Sequence, residues 1–248
     1  MLGMTTTSDP GTTGVKDISV ALGGGIRENS LIIIEGEAKT GKSVLCQHIA
    51  YGVLHSKGSS VAYYSSDYNS ETLIAQMDSM SMETSHDLWT DRLRIYRIDL
   101  TNVLTELTEA EKTLHLIVDH ISKLPMRFKL AIVDSPSPLL LRLSKMVKID
   151  FLQACKELCE NERSIVLTLD AHIFEPKTQV RAYSMSDYYL RLRSPDMLLE
   201  TGQIDTRAIK TMEVSKLGGA ERLGQEILRF EIKPKIGIQL LPFVKIRV

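Results

Sequence analysis

The sequence predicts an α/β fold: a mostly parallel central sheet flanked by helices, with antiparallel hairpins at its C-terminal edge. Three observations carry that prediction. A short run rich in β-branched residues, Leu31 to Ile34, leads into a glycine loop, Gly36 to Ser43, and then into apolar residues at helical spacing, Val44, Leu45, Ile49, Val53 and Leu54. From there to Leu169, strand-like and helix-like runs alternate, which is the order of a parallel sheet covered on both faces. The last third holds short strand-like runs separated by turn residues, the order of antiparallel hairpins.

The elements follow one by one. Residues 1–14 are rich in Thr, Ser, Gly and Pro and offer little to bury, so they predict a flexible tail, with order beginning near Val15. Ile18, Leu22 and Ile26 flank Gly23, Gly24 and Gly25, three residues that supply backbone freedom rather than side chains. Ser60 to Ser65 predicts a second strand, Thr72 to Met80 a helix begun near Ser70, and Leu93 to Ile98 a strand. Leu104, Leu107, Leu114, Ile117, Ile121 and Leu124 mark a long helix stopped at Pro125. Leu130 to Val133 is a buried strand ending in Asp134, Met146 to Cys159 is helical by period, and Ile165 to Leu169 is another strand. Met197 to Glu200, Ala208 to Val214, Ile227 to Ile232 and Ile236 to Leu240 complete the set, with a bend around Pro234 and Lys235 joining the last pair.

Composition bounds the function classes. Hydrophobic content of 43% and charged content of 25% are those of an ordinary globular protein. A formal net charge of −1 gives no global pull toward nucleic acid. No apolar run approaches the ~20 residues that span a bilayer, and the start shows no signal-peptide pattern. Three cysteines argue against a disulfide framework, and Cys155 and Cys159, four apart on one helix, read as core thiols. The cytoplasm is the expected compartment.

The eight residues Gly36, Glu37, Ala38, Lys39, Thr40, Gly41, Lys42 and Ser43 spell GEAKTGKS, a complete G-x-x-x-x-G-K-[ST] phosphate loop. Its glycines let backbone N–H groups turn inward onto phosphates, and the helix that starts at the loop and continues through Val44 adds partial positive charge behind them. Lys42 is expected on the β- and γ-phosphates and Ser43 on Mg²⁺. About 90 residues later, Lys129 to Asp134 (KLAIVD) is an apolar strand ending in an acid, the second place from which a magnesium shell is held. Residues 15–248, with no repeat or low-complexity linker, therefore read as one domain that binds a nucleoside triphosphate with Mg²⁺.

Several stretches together resemble the RecA/KaiC class of ATPases: LGGGIRENSLIIIEGEAKTGKSVLCQ (Leu22 to Gln47), YYSSDYNSETLIAQM (Tyr63 to Met77), IVDSPSPLL (Ile132 to Leu140) and RFEIKPKIGIQLLP (Arg229 to Pro242). Within that class they are similar to the FlaH (ArlH) group, ATP-binding accessory proteins of the archaellum motor. The phosphate loop is shared by many families; the glycine triplet with the terminal hairpin is much more specific. The resemblance implies a KaiC-like domain in a homo-oligomeric ring, a hexamer, docked on the archaellum motor ATPase beneath its membrane platform.

The same resemblance marks two departures. In KaiC-type ATPases the second strand ends in glutamates that polarise the attacking water, whereas here it reads Tyr64, Ser65, Ser66, Asp67. A serine hydroxyl is a poor general base near neutral pH. Asp67 could substitute only through a local bend, because adjacent strand residues point to opposite faces. KaiC-like rings also complete each site with a Lys and an Arg from the neighbouring subunit. Val214 to Gly219 (VSKLGG) is similar to that segment, with Lys216 at the lysine position, Leu217 after it, and Gly218 where the arginine belongs. The expectation is an ATP-binding regulatory component with weak or absent hydrolysis. The alternatives are a genuine KaiC-type ATPase using Asp67, or a RecA-type recombinase paralogue, which the net charge and the short tail do not favour.

Other residues invite a function that a plainer role explains. His172, Thr168 and Asp170 lie at the end of one strand, where polar residues are commonly structural. Tyr183, Tyr188 and Tyr189 with Arg181, Arg191 and Arg193 have the makings of a stacking surface for single strands, but also fit one amphipathic helix, the favoured assignment. Trp89 stands among polar residues in an expected loop.

Overall fold

The computed structural model describes residues 7–8, 18, 22, 25–55, 59–101, 103, 107–160, 163–194, 209–218 and 227–241. Its strands are β1 (Thr7–Ser8), β2 (Ile26–Arg27), β3 (Leu31–Gly36), β4 (Ser60–Ser65), β5 (Leu93–Arg97), β6 (Phe128–Asp134), β7 (Ser164–Asp170) and β8 (Tyr188–Arg193). Three more follow, β9 (Lys210–Lys216), β10 (Ile227–Lys233) and β11 (Gly237–Leu241). The helices are α1 (Lys42–Leu54), α2 (Ser70–Ser79), α3 (Ser85–Trp89), α4 (Leu107–Lys123), α5 (Ser137–Leu141), α6 (Lys145–Glu160) and α7 (Pro176–Met185).

Among the described residues one nine-stranded sheet runs in the order β11-β10-β9-β8-β3-β7-β6-β4-β5. From β8 to β5 every pairing is parallel. β9, β10 and β11 are added antiparallel at one edge. This is the α/β sheet with C-terminal hairpins that the sequence pattern implies. Thr7 and Ser8 pair with Arg27 and Ile26. Gly23, Gly24, Leu104 and Met197 to Glu200 lie outside the described residues.

Why β3 is apolar at four successive positions is plain from its place. Strands covered on both faces have no solvent side, and successive side chains alternate between the two. Ile32 and Ile34 pack with Leu45 and Ile49 of α1 and with Tyr63, Ile132 and Phe230. Leu31 and Ile33 pack on the opposite face with Ile121 of α4 and with Phe151, Leu152 and Cys155 of α6. Cys46, Cys155 and Cys159 are all buried free thiols, as expected of core cysteines. Helix α2 begins where Asn69 accepts the Thr72 N–H at 2.8 Å, and α4 ends just ahead of Pro125.

One assignment needs correction. The Tyr and Arg residues between 181 and 193 do not share a helix: α7 ends at Met185, and Tyr188–Arg193 is β8, parallel to β3. The break falls at Asp187, whose carboxylate accepts the Leu31 N–H at 2.8 Å and pairs with Lys156. Tyr188 and Tyr189 are thereby buried and unable to stack on an external base. Trp89 ends the short helix α3 instead of standing in a loop, and it is 88% exposed.

The terminal hairpin braces the front of the domain. The Ile238 N–H donates to Nε2 of His48 on α1 at 3.0 Å. Gly237, at φ 74°, leaves no room for a side chain, since a Cβ there would lie 2.2 Å from that nitrogen. A Cβ on Gly41 would lie 2.8 Å from Ile232 of β10. Strands far apart in sequence therefore hold both the phosphate loop and the helix behind it.

Candidate nucleotide site

The site is built where β3 ends and α1 begins. Lys39 and Gly41 both take positive φ, 64° and 100°, which folds the loop back on itself. Gly36 cannot carry a side chain either: a Cβ would stand 2.6 Å from the Leu192 carbonyl oxygen and 2.7 Å from Thr40 Oγ1. Thr40, fully buried, pins the turn by donating to the Glu37 carbonyl at 2.8 Å. No side chain caps α1, and its first turn holds no acid, so the free N–H groups of that turn are open to an anion.

Lys42 reaches back across this loop. Its Nζ donates to the carbonyls of Gly36 and Glu37, at 2.8 and 2.9 Å, and to Oδ1 of Asp170 at 2.9 Å. Beside it, Ser43 Oγ donates to Asp134 Oδ1 at 3.1 Å. Asp134 is 1% exposed and also accepts from Thr168 Oγ1 and from the Tyr63 hydroxyl, each at 2.8 Å. Burial pushes the Asp134 carboxyl above the usual carboxylate range, against the pull of those three hydroxyl hydrogen bonds. A buried carboxylate whose only described donors are neutral hydroxyls lacks a compensating cation, and a divalent ion shared with Ser43 would supply one. Thr168 is tied in turn by the Ser135 N–H at 2.6 Å.

Residues 38–44 open onto a cleft of about 490 Å³ together with Asp67, Tyr68, Gln76, Asp134, Ser135, Pro138, Asp170 and Ile232. That is the size of an ordinary small-molecule site. Its donor set, an ammonium, open backbone N–H groups, a hydroxyl and a carboxylate, suits a phosphate chain with a divalent cation. Tyr68, Gln76 and Ile232 carry no motif; the turn after β4 brings the first to the cleft, and α2 and β10 bring the other two.

At the end of β4 the backbone bends. Ser65 is buried, and its Oγ accepts the N–H groups of Asp67 and Tyr68 at 3.3 and 3.1 Å. The Ser66 hydroxyl donates to the Ser135 carbonyl at 2.9 Å. Both hydroxyls are thus occupied by backbone, and the turn delivers the exposed Asp67 side chain to the cleft.

Lys216 and Leu217 stand elsewhere. Lys216 pairs across the sheet with Tyr189, itself level with Ile33, toward the strands' amino ends and away from this chain's own loop. Its ammonium donates to the carbonyls of Tyr183 and Ser184, at 2.9 and 3.0 Å, and to that of Ser186, closing the C-terminal end of α7. Leu217 is partly buried against the core. His172 is exposed at φ 72° and faces a separate cleft with Glu35, Gln179 and Arg191. Among the described residues no cluster of His, Cys, Asp and Glu could by itself hold a metal ion. None of the described helices is long and apolar enough to cross a membrane.

Known proteins align with this arrangement over almost the whole chain. Two relatives, both archaeal flagellar ATP-binding proteins FlaH, are 29% identical in Methanocaldococcus jannaschii and 26% identical in Sulfolobus acidocaldarius. The alignments cover 90% and 93% of this chain and 91% and 96% of theirs. The crystal structure of the flagellar accessory protein FlaH from M. jannaschii superposes with a TM-score of 0.76 at 23% identity, covering 96% of this chain and 100% of that one. A KaiC-like protein from Pyrococcus horikoshii superposes at 0.68 and 17% identity, with the same coverage. The model of the family described as ATPase: KaiC matches residues 11–244, and the chain belongs to that family.

Proposed function

We propose that this chain is an ATP-binding component of the archaellum motor in which bound nucleotide acts as a switch, with hydrolysis slow or absent. The loop from Gly36 to Val44 would wrap the phosphates, Lys42 would meet the β- and γ-phosphates, and Ser43 with Asp134 would hold Mg²⁺. The FlaH relatives support the assignment to the archaellum. One observation carries the switch: beside the proposed phosphate and metal groups stand two serines, Ser65, whose Oγ accepts two backbone N–H groups, and Ser66, whose hydroxyl donates to a backbone carbonyl. A hydroxyl is too weak a base to relieve an attacking water of its proton near neutral pH. In this proposal the protein works in the cytoplasm as a ring beneath the membrane platform, docked on the motor ATPase, and nucleic acid is not its partner. Lys216 would reach a neighbour's nucleotide only by leaving the three carbonyls at the C-terminal end of α7.

The test is assembly and docking measured by sedimentation and by pull-down with the motor ATPase, with and without ATP, for the parent and Lys42→Ala. ATP should promote both in the parent only, because a ligand shifts an equilibrium by its differential affinity for the two states. Equal assembly and docking by a Lys42→Ala protein that binds no ATP would reduce the nucleotide to a structural role. A second reading, a genuine KaiC-type ATPase, is favoured by the bend that puts Asp67 in the cleft. Turnover within the ~1–10³ s⁻¹ common for enzymes, lost in both Lys42→Ala and Asp67→Asn, would select it.

A further inference from the structure

We propose that Asp170 is a built-in counter-ion for Lys42, which the phosphates of a nucleotide must displace, and that it sets the preference of the site among nucleotides by their terminal charge. The proposal rests on the loop being a nucleotide site. An ammonium has three hydrogens, and all three of Lys42's are placed, on Gly36 O, Glu37 O and Asp170 Oδ1. A phosphate oxygen can bond to this nitrogen only by taking one of those places.

The three partners are not equivalent. The two carbonyls belong to the loop and hold the lysine stem across it. Asp170 comes from β7 and brings a negative charge to the same cleft. An incoming phosphate attracts the lysine away from Asp170 and repels the carboxylate itself. The backbone of Asp170 cannot retreat: it is in register with Gly36, its N–H donates to Ser137 Oγ at 2.8 Å, and the next N–H, of Ala171, donates to the Gly36 carbonyl at 3.1 Å. The side chain can, because it is 48% exposed while that of Lys42 is 10% exposed. Binding therefore turns the carboxylate out but leaves it close to the terminal phosphate. The resulting repulsion grows with phosphate charge, so it weighs more on a triphosphate than on a diphosphate. When phosphate leaves, the carboxylate returns to Lys42 and opposes rebinding.

Asp170→Asn removes the charge and keeps an oxygen that can accept from Lys42. Calorimetry with Mg·ATP and Mg·ADP on the parent and the variant, both checked for folding by circular dichroism, decides the matter. The expected result is ATP bound about three- to tenfold tighter by the variant, the scale of removing one half-exposed ion pair and its repulsion. ADP should gain less, and ATP should dissociate more slowly in stopped flow. Unchanged or weaker ATP binding, or equal gains for ATP and ADP, would overturn the role of Asp170 and leave the nucleotide site standing. No nucleotide binding by the parent itself would bring down both. Asp170→Ser gives the same readout should the asparagine variant not fold.

Discussion

Acid should loosen the terminal hairpin from the helix behind the phosphate loop, and His48 sets how much. Burial holds its imidazole neutral, lowering its pKa from 6.5 to about 4. Only an unprotonated Nε2 can accept the Ile238 N–H, so the neutral form is also the bonded form. The folded pKa lies below the unfolded one, which fixes the sign. Above about pH 6.5 both states are neutral and this residue adds no pH dependence. As the pH falls from there toward 4, the unfolded chain takes up a proton that the fold refuses, and stability is lost across that window. An interval of about 2.5 pH units at ~1.4 kcal/mol each comes to about 3.5 kcal/mol. For a chain of this size that is about 7–14 °C in Tm. The assay is urea unfolding in steps from pH 7 to 4.5 on the parent and on His48→Gln, whose amide can still accept the Ile238 N–H but does not titrate. Carboxylates titrate in the same window, so the quantity that counts is the difference between the two curves. That difference should swing by about 2.5 kcal/mol in favour of the variant between pH 7 and 4.5. Parallel curves would refute the buried neutral imidazole as the hairpin's anchor.

Asp134→Asn separates metal binding from folding: its amide oxygen can keep Ser43 and Thr168, its NH₂ can donate to a reoriented Tyr63 hydroxyl, and a costly buried charge is gone. Without nucleotide the variant should melt no lower than the parent, while Mg²⁺ should cease to tighten ATP binding in calorimetry; a large drop in Tm, or an undiminished magnesium effect, counts against the assigned role. Gly36→Ala should cost about 1–3 kcal/mol and abolish ATP binding, because its Cβ would collide with the Leu192 carbonyl oxygen and Thr40 at once. Thermal melts and ATP titration of this variant check both halves, and parental affinity would show that the loop tolerates what its geometry forbids.

The parts of this molecule legible in the sequence are those that depend on neighbours along the chain. The loop, the buried strands β3, β6 and β7, and the apolar stripe of α4 are each fixed by spacing within about fifteen residues, where period and glycine placement carry the signal. Strand β8 is hidden in the sequence because YYLRLR follows α7 after only two residues, and its arginines and tyrosines continue a helical stripe as readily as they alternate along a strand. What decides is Asp187, which takes the N–H of Leu31, a partner 156 residues away. The site divides along the same line. Lys42 and Ser43 are announced by a motif and Asp134 by the apolar strand it ends, but Asp170, the partner that defines the state of Lys42, arrives from a strand 128 residues away with no pattern linking it to the loop. The most consequential gap is at Ser65. Alternation along a strand puts Asp67 on the wrong face, and that inference holds only while the strand continues. A serine that accepts two backbone N–H groups ends it, and local patterning cannot say whether a hydroxyl will spend itself on the backbone or on a ligand. The residue type that weakens the case for hydrolysis is therefore also the one that turns an acid into the cleft. The balance between switch and ATPase rests on this bend rather than on the phosphate loop.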